Sequence, residues 1–159
     1  MEKKVGIGEY KIAENPDLLI AYGLGSCIGV ILYDNVKKIG GLLHIMLPDS
    51  TQFNKVENPF KFADLGIPLL LREMEKKGCS QNLLQVKIAG GSSMFNFGDK
   101  SLNMDIGTRN YLAVKNKLEQ LNITIDKEDV GGSCGRTLMV DTLTGKVTIR
   151  TVGKDTKEL

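Results

Sequence analysis

The chain has 159 residues, 42% of them hydrophobic, enough to bury one substantial core and too few for two ordinary domains. Its 21 Lys and Arg stand against 19 Asp and Glu scattered along the sequence, a balance that excludes a nucleic acid or an acidic membrane surface as the main partner. Residues 1–6 carry charge and glycine instead of a signal peptide's apolar core, and no apolar run approaches the roughly 20 residues of a membrane span. A cytoplasmic chain without direct membrane insertion is therefore expected.

In chain order, residues 17–22, 27–33 and 39–47 are short, rich in Ile, Leu and Val, and parted by Gly, Asp and Asn turns, which predicts three strands forming the first half of one sheet. Residues 60–77 place Phe62, Leu65, Leu69, Leu70 and Met74 near helical spacing, with Gly78 to end the helix; Pro68 either opens its regular part or kinks it. Residues 83–89 read as a buried strand running into Gly90-Gly91-Ser92-Ser93, a turn whose amides are free to face a ligand. Thr108 is the expected cap of a second helix with the stripe Tyr111, Val114, Leu118 and Leu121. A strand over 123–130 and a hairpin of 137–141 and 146–152 close the chain. This order predicts an α+β fold of a single domain over residues 1–159, with helices packed on a largely antiparallel or mixed sheet.

Chemistry-bearing residues are few. Cys27, Cys79 and Cys134 are odd in number and widely spaced, which favours free thiols, and the absence of a Cys-x-x-Cys pair leaves no expectation of a metal or other cofactor. The glycines of Gly23-x-Gly25-x-x-x-Gly29 miss the dinucleotide-binding spacing, and no phosphate-loop ending follows. His44 is the sole histidine, so any Cys/His or Ser/His chemistry runs through it. By itself it is better read as a hydrogen-bonded core residue than as a catalytic one. Cys27 shifts that balance: Gly23-Leu24-Gly25-Ser26-Cys27 is a glycine-rich link between two predicted strands, and one strand, a turn at 34–38 and a return strand bring His44 back toward it. A thiol with an ordinary pKa of about 8.5 needs such a base to become a nucleophile at neutral pH. The amides near Gly25 and Ser26 are candidates to hold an oxyanion, and Gly90, Gly91, Ser92 and Cys134 are candidates to line the cleft. A His-assisted Cys27 is expected to alkylate before ordinary thiols.

Gly23-Leu24-Gly25-Ser26-Cys27 followed by His44-Ile45-Met46-Leu47-Pro48 resembles the CheD family of chemotaxis proteins. Lys87-Ile88-Ala89-Gly90-Gly91 with Met94-Phe95, Ile106-Gly107-Thr108-Arg109-Asn110, and Asp129-Val130-Gly131-Gly132 with Gly135-Arg136 resemble its later blocks in order. The resemblance implies a fold like the catalytic domain of cytotoxic necrotizing factor toxins. It also implies hydrolysis of glutamine side chains to glutamate on methyl-accepting chemoreceptors, with Cys27 as nucleophile and His44 as base. The implied partners are receptor cytoplasmic helices and a CheC-type phosphatase. A second reading is a regulatory adaptor that binds those partners with little catalysis of its own. One position departs from the family pattern: Ala21 stands where a threonine that helps hold the histidine is expected. A backbone carbonyl, or the hydroxyl of Tyr22 or Ser26, is left for that role.

Overall fold

The computed structural model describes residues 1–93 and 105–159; the Met94-Phe95 part of the family-like blocks lies outside them. Among the described residues ten strands and two α-helices form three layers. One sheet has the order β1 (Glu2–Lys4), β3 (Leu18–Leu24), β8 (Arg136–Asp141), β9 (Val147–Thr151), β10 (Lys157–Glu158). The other runs β2 (Tyr10–Glu14), β5 (Ile39–Ile45), β4 (Ile28–Asp34), β6 (Leu84–Gly90), β7 (Lys127–Val130). Each is mixed: β1 pairs parallel with β3 and β7 parallel with β6, while the remaining pairs are antiparallel. The fold class is thus α+β, as expected, but with two sheets. Strand β3 belongs to one and its successors β4 and β5 to the other, so the three strands do not begin a common sheet. The glycine link over residues 25–27 is where the chain crosses between the sheets.

The apolar run of β4 follows from its place in the middle. Every residue from Ile28 to Asp34 is buried. Ile28, Val30 and Leu32 pack toward helices α1 (Ala63–Lys76) and α2 (Ile106–Gln120), with Ile67, Leu70, Met74, Val114 and Leu118. Ile31 and Cys27 face the other sheet and join Leu19, Ala21, Leu24, Leu138 and Val140. A strand covered on both faces has no polar face to alternate with. Each such fully buried Leu or Ile contributes about 1.5–3 kcal/mol relative to exposure. Helix α1 lies directly on β5: a Cβ on Gly41 would fall 2.8 Å from Met74 Sδ.

The β4–β5 hairpin forms where it was expected, with the buried Asp34 carboxylate accepting from the Val36 and Lys37 amides at 2.9 Å. Pro68 lies inside α1, and Pro59 opens a separate 3-10 turn (Pro59–Lys61) just before it. The cap of α2 is Asp105, whose carboxylate accepts from Thr108 N–H at 2.9 Å; Thr108 is in the first turn and not the cap. The strand expected over 123–130 shrinks to β7, because Ile123 N–H still closes the end of α2 onto Leu118 O. Among the described residues no helix is long and apolar enough to cross a membrane.

Candidate active site

Register places the two candidate catalytic residues on one face. Gly29 pairs with His44 across β4 and β5, and side chains two residues apart on a strand share a face. Cys27 therefore stands diagonal to His44 on the side facing the other sheet, a relation that typically spans about 7–8 Å between Cα atoms. The residue directly opposite His44 is glycine, and the space a side chain there would take is filled by Leu138, whose Cδ2 would lie 2.6 Å from a Cβ on Gly29. Both groups are deeply set, with Cys27 8% and His44 2% exposed.

The imidazole is held from one side only. Its Nδ1 lies 3.2 Å from the Val5 carbonyl oxygen, and Nε2 is buried without a hydrogen-bond partner among the described residues. A carbonyl can only accept, so Nδ1 carries the proton and Nε2 presents a lone pair. Val5 is fixed in turn, its N–H donating to Ile20 O at 2.8 Å. The same N-terminal turn grips the backbone of residue 44: Gly8 N–H donates to His44 O, and His44 N–H donates to Glu9 O. The orienting group left open by Ala21 is therefore a backbone carbonyl, and Ala21 itself is a buried packing residue between the sheets.

Burial sets the protonation states. It pushes the His44 pKa below its ordinary value of 6.5, against smaller upward pulls from the Val5 carbonyl and the Glu9 charge. Burial likewise pushes the Cys27 thiol up, and the residue's own amide N–H, turned toward the sulfur, partly offsets this. The resting pair is a neutral thiol beside a neutral imidazole. No hydrogen bond joins the two side chains, as is common for catalytic contacts that tighten only with substrate bound. These directions favour a neutral thiol in the free protein and so run against the early alkylation expected of Cys27.

The glycine turns have a different task from the one expected. Gly91 N–H donates to Cys27 O, Ser92 N–H to Gly25 O and Ser93 N–H to Gly132 O, all at 2.9 Å. These amides are used internally, and Gly90, Gly91 and Ser92 are buried. They form the backing of the Cys27 turn, not a cleft lining. Ser92 Oγ donates to Cys134 O at 2.7 Å and accepts from Arg136 Nη1 at 2.8 Å, while Arg136 also reaches Gly90 O and Gly131 O. Asp129, 3.6 Å from Arg136 Nε, supplies the countercharge. Cys134 is half-buried in the turn this network fixes. Backbone bonds thus gather Gly25, Ser26, Cys27, Gly90, Gly91 and Ser92, with Cys134 one layer behind. No other described residue accepts from the N–H groups of Ser26 or Cys27, and the Cys27 N–H turns toward its own sulfur, which keeps both amides at the thiol.

The family model described as CheD chemotactic sensory transduction matches residues 46–151. The chain belongs to the CheD family. That match begins beyond both Cys27 and His44, but longer alignments span them. A Clostridium botulinum (strain Hall) protein named "Probable chemoreceptor glutamine deamidase CheD" is 61% identical over 158 residues, covering 99% of this chain and 98% of its own. A Clostridium kluyveri protein of the same name is 58% identical with the same coverage. Among solved structures, the Bacillus licheniformis hypothetical protein YfiH aligns with 78% of this chain and 49% of its own, at 13% identity and a TM-score of 0.43.

Two members of this CheD-family site carry no obvious sequence mark. Val5 acts through its backbone, which any residue supplies. Asn110 is fully buried and donates to the carbonyls of Ser26 and Met46. It sits four residues before Val114 on the stripe of α2, and an amide on an apolar stripe was the signal available.

Proposed function

We propose that this protein is a protein-glutamine glutaminase, hydrolysing the side-chain amide of selected glutamines on methyl-accepting chemoreceptors to glutamate, with Cys27 as nucleophile and His44 as base. The observation that carries this reading is the imidazole's orientation. Nδ1–H is committed to the Val5 carbonyl, Nε2 has no partner among the described residues, and register puts the His44 side chain on the same face as the Cys27 thiol. The names of the 61% and 58% identical relatives supply the reaction and the receptor substrate.

On this reading the Cys27 thiol passes its proton to His44 Nε2 as the sulfur attacks the carboxamide carbon. The resulting oxyanion is met by the N–H groups of Ser26 and Cys27, a type of contact whose loss typically costs about 10²–10³ in kcat. The imidazolium returns the proton to the departing nitrogen, which leaves as ammonia. Water, deprotonated by His44, then attacks the thioester and releases glutamate and the thiol. Ammonia release and the Gln-to-Glu mass shift of a purified receptor cytoplasmic fragment test the reading. Cys27→Ala and His44→Ala abolish both, and Cys79→Ala leaves them nearly intact. Full conversion by Cys27→Ala sinks the assignment.

The same reading includes a cytoplasmic location, receptor cytoplasmic helices as substrate, and a CheC-type phosphatase as partner that competes for the cleft by presenting a substrate-like segment. Equal phosphatase stimulation by wild type and Cys27→Ala, without any glutamine conversion, selects the adaptor role instead. A likeness to the catalytic domain of cytotoxic necrotizing factor toxins also belongs to this reading; superposition on such a domain tests it.

A further inference from the structure

We infer that Asn110 is a positioning residue of the site: its side-chain amide sets the direction of the Cys27 N–H toward the oxyanion and fixes the spacing of the Cys27 turn from the end of the His44 strand. The inference rests on the function proposed above and deepens it. Asn110 is 0% exposed, and its Nδ2 donates both protons, to Ser26 O at 2.9 Å and to Met46 O at 3.0 Å. The first carbonyl belongs to the peptide that enters Cys27, the second to the residue two beyond His44. One planar group on α2 therefore staples the two catalytic segments together.

The consequence for the oxyanion follows from peptide geometry. Among the described residues the one cis bond is Asn15-Pro16, so the Ser26–Cys27 peptide is trans. In a trans peptide the C=O and N–H point to opposite sides of the chain. With Ser26 O drawn toward α2, the Cys27 N–H is driven away from the helix, toward the residue's own sulfur, which it meets. Helix α2 starts hard against this turn: a Cβ on Gly107 would lie 2.3 Å from Ser92 O, so only glycine lets the helix start come this near to the turn it braces. Among the described residues Asn110 Oδ1 is buried without a partner, and both Nδ2 protons go to the two carbonyls that flank the candidate pair.

The test uses Asn110→Ala and Asn110→Ser in the full chain, with Val114→Ala, one turn further along the same buried stripe, as a control for loosening α2. The expected result is a fall in kcat of about ten- to hundredfold in both Asn110 variants, with KM for the receptor fragment changed by less than about twofold. Binding of a glutamine-aldehyde peptide, which forms a tetrahedral thiohemiacetal on the cysteine, weakens in parallel with kcat. Val114→Ala lowers the melting temperature and leaves kcat of the folded protein unchanged. Wild-type kcat in folded Asn110 variants overturns the inference, as does a rise in KM alone or a kcat loss that Val114→Ala reproduces. If wild type itself releases no ammonia, or Cys27→Ala does, the proposed function falls instead.

Discussion

The proposed role of His44 as base depends on what its ring does not touch. One ring nitrogen is committed to Val5, the other is buried without a partner among the described residues, and burial pushes the ring's pKa below its ordinary value. With the Cys27 thiol displaced upward, neither member changes charge between about pH 7 and 8. The profile of kcat/KM is therefore expected to be flat through neutrality, with its acid limb below 6.5, the ordinary imidazole value. Iodoacetamide with mass spectrometry supplies a substrate-free check. Half-buried Cys134 labels first at neutral pH, Cys27 later, and Cys79, buried and raised to about 11, last. Labelling of Cys27 ahead of Cys134 indicates a resting thiolate–imidazolium pair and refutes the neutral one. At this scale the sequence was informative about identities: a sole histidine and a glycine-flanked cysteine stand out by composition and spacing. It was silent on Val5, since a carbonyl has no residue type.

At the scale of elements, the strand β6 and the turn after it serve as the anvil for the Cys27 peptide. Gly90 has φ of 118°, and a Cβ there would lie 2.1 Å from the Cys27 carbonyl oxygen, backbone against backbone. Gly90→Ala is expected to destabilise the fold by at least the about 1–3 kcal/mol of ordinary overpacking, read as a lower urea midpoint. Ammonia release should fall in the same variant even where it remains folded, because the displaced carbonyl belongs to Cys27, the proposed nucleophile. Helices and central strands were legible because their apolar periods are long and regular. Edges were not: β1 and β2, with Glu2, Lys3, Lys4, Lys11 and Glu14, carry too much charge to read as strands, and they form because β3 and β5 offer them a ladder. The Gly90-Gly91-Ser92 turn was legible as a turn but misread in purpose, since whether an amide faces solvent or another loop is a tertiary fact.

For the whole molecule, alternation tells a strand from a helix but not one sheet from another, and the division of β3 from β4 was beyond the pattern. The same division buries His44 between layers, and that has a measurable thermodynamic side. The folded pKa lies below the unfolded value, so on acidification the unfolded chain takes up the proton first. Stability is whole above 6.5 and declines as pH falls from there toward the depressed folded value. As this is the sole histidine, the melting temperature of His44→Gln is expected to vary less than that of wild type between pH 7 and about 5.5. An identical slope in both proteins refutes the linkage.

Orientation by the Val5 carbonyl also bears on inheritance. A hydroxyl at position 21 can vanish with a single codon change; an oxygen of the main chain survives every replacement at its own site. With the imidazole tethered to the backbone, a lineage that loses the threonine keeps the ring oriented, and residue 21 answers only to its packing between the sheets. What the tether cannot survive is the loss of the leading strand, or a replacement at position 5 that its buried place between the sheets does not admit.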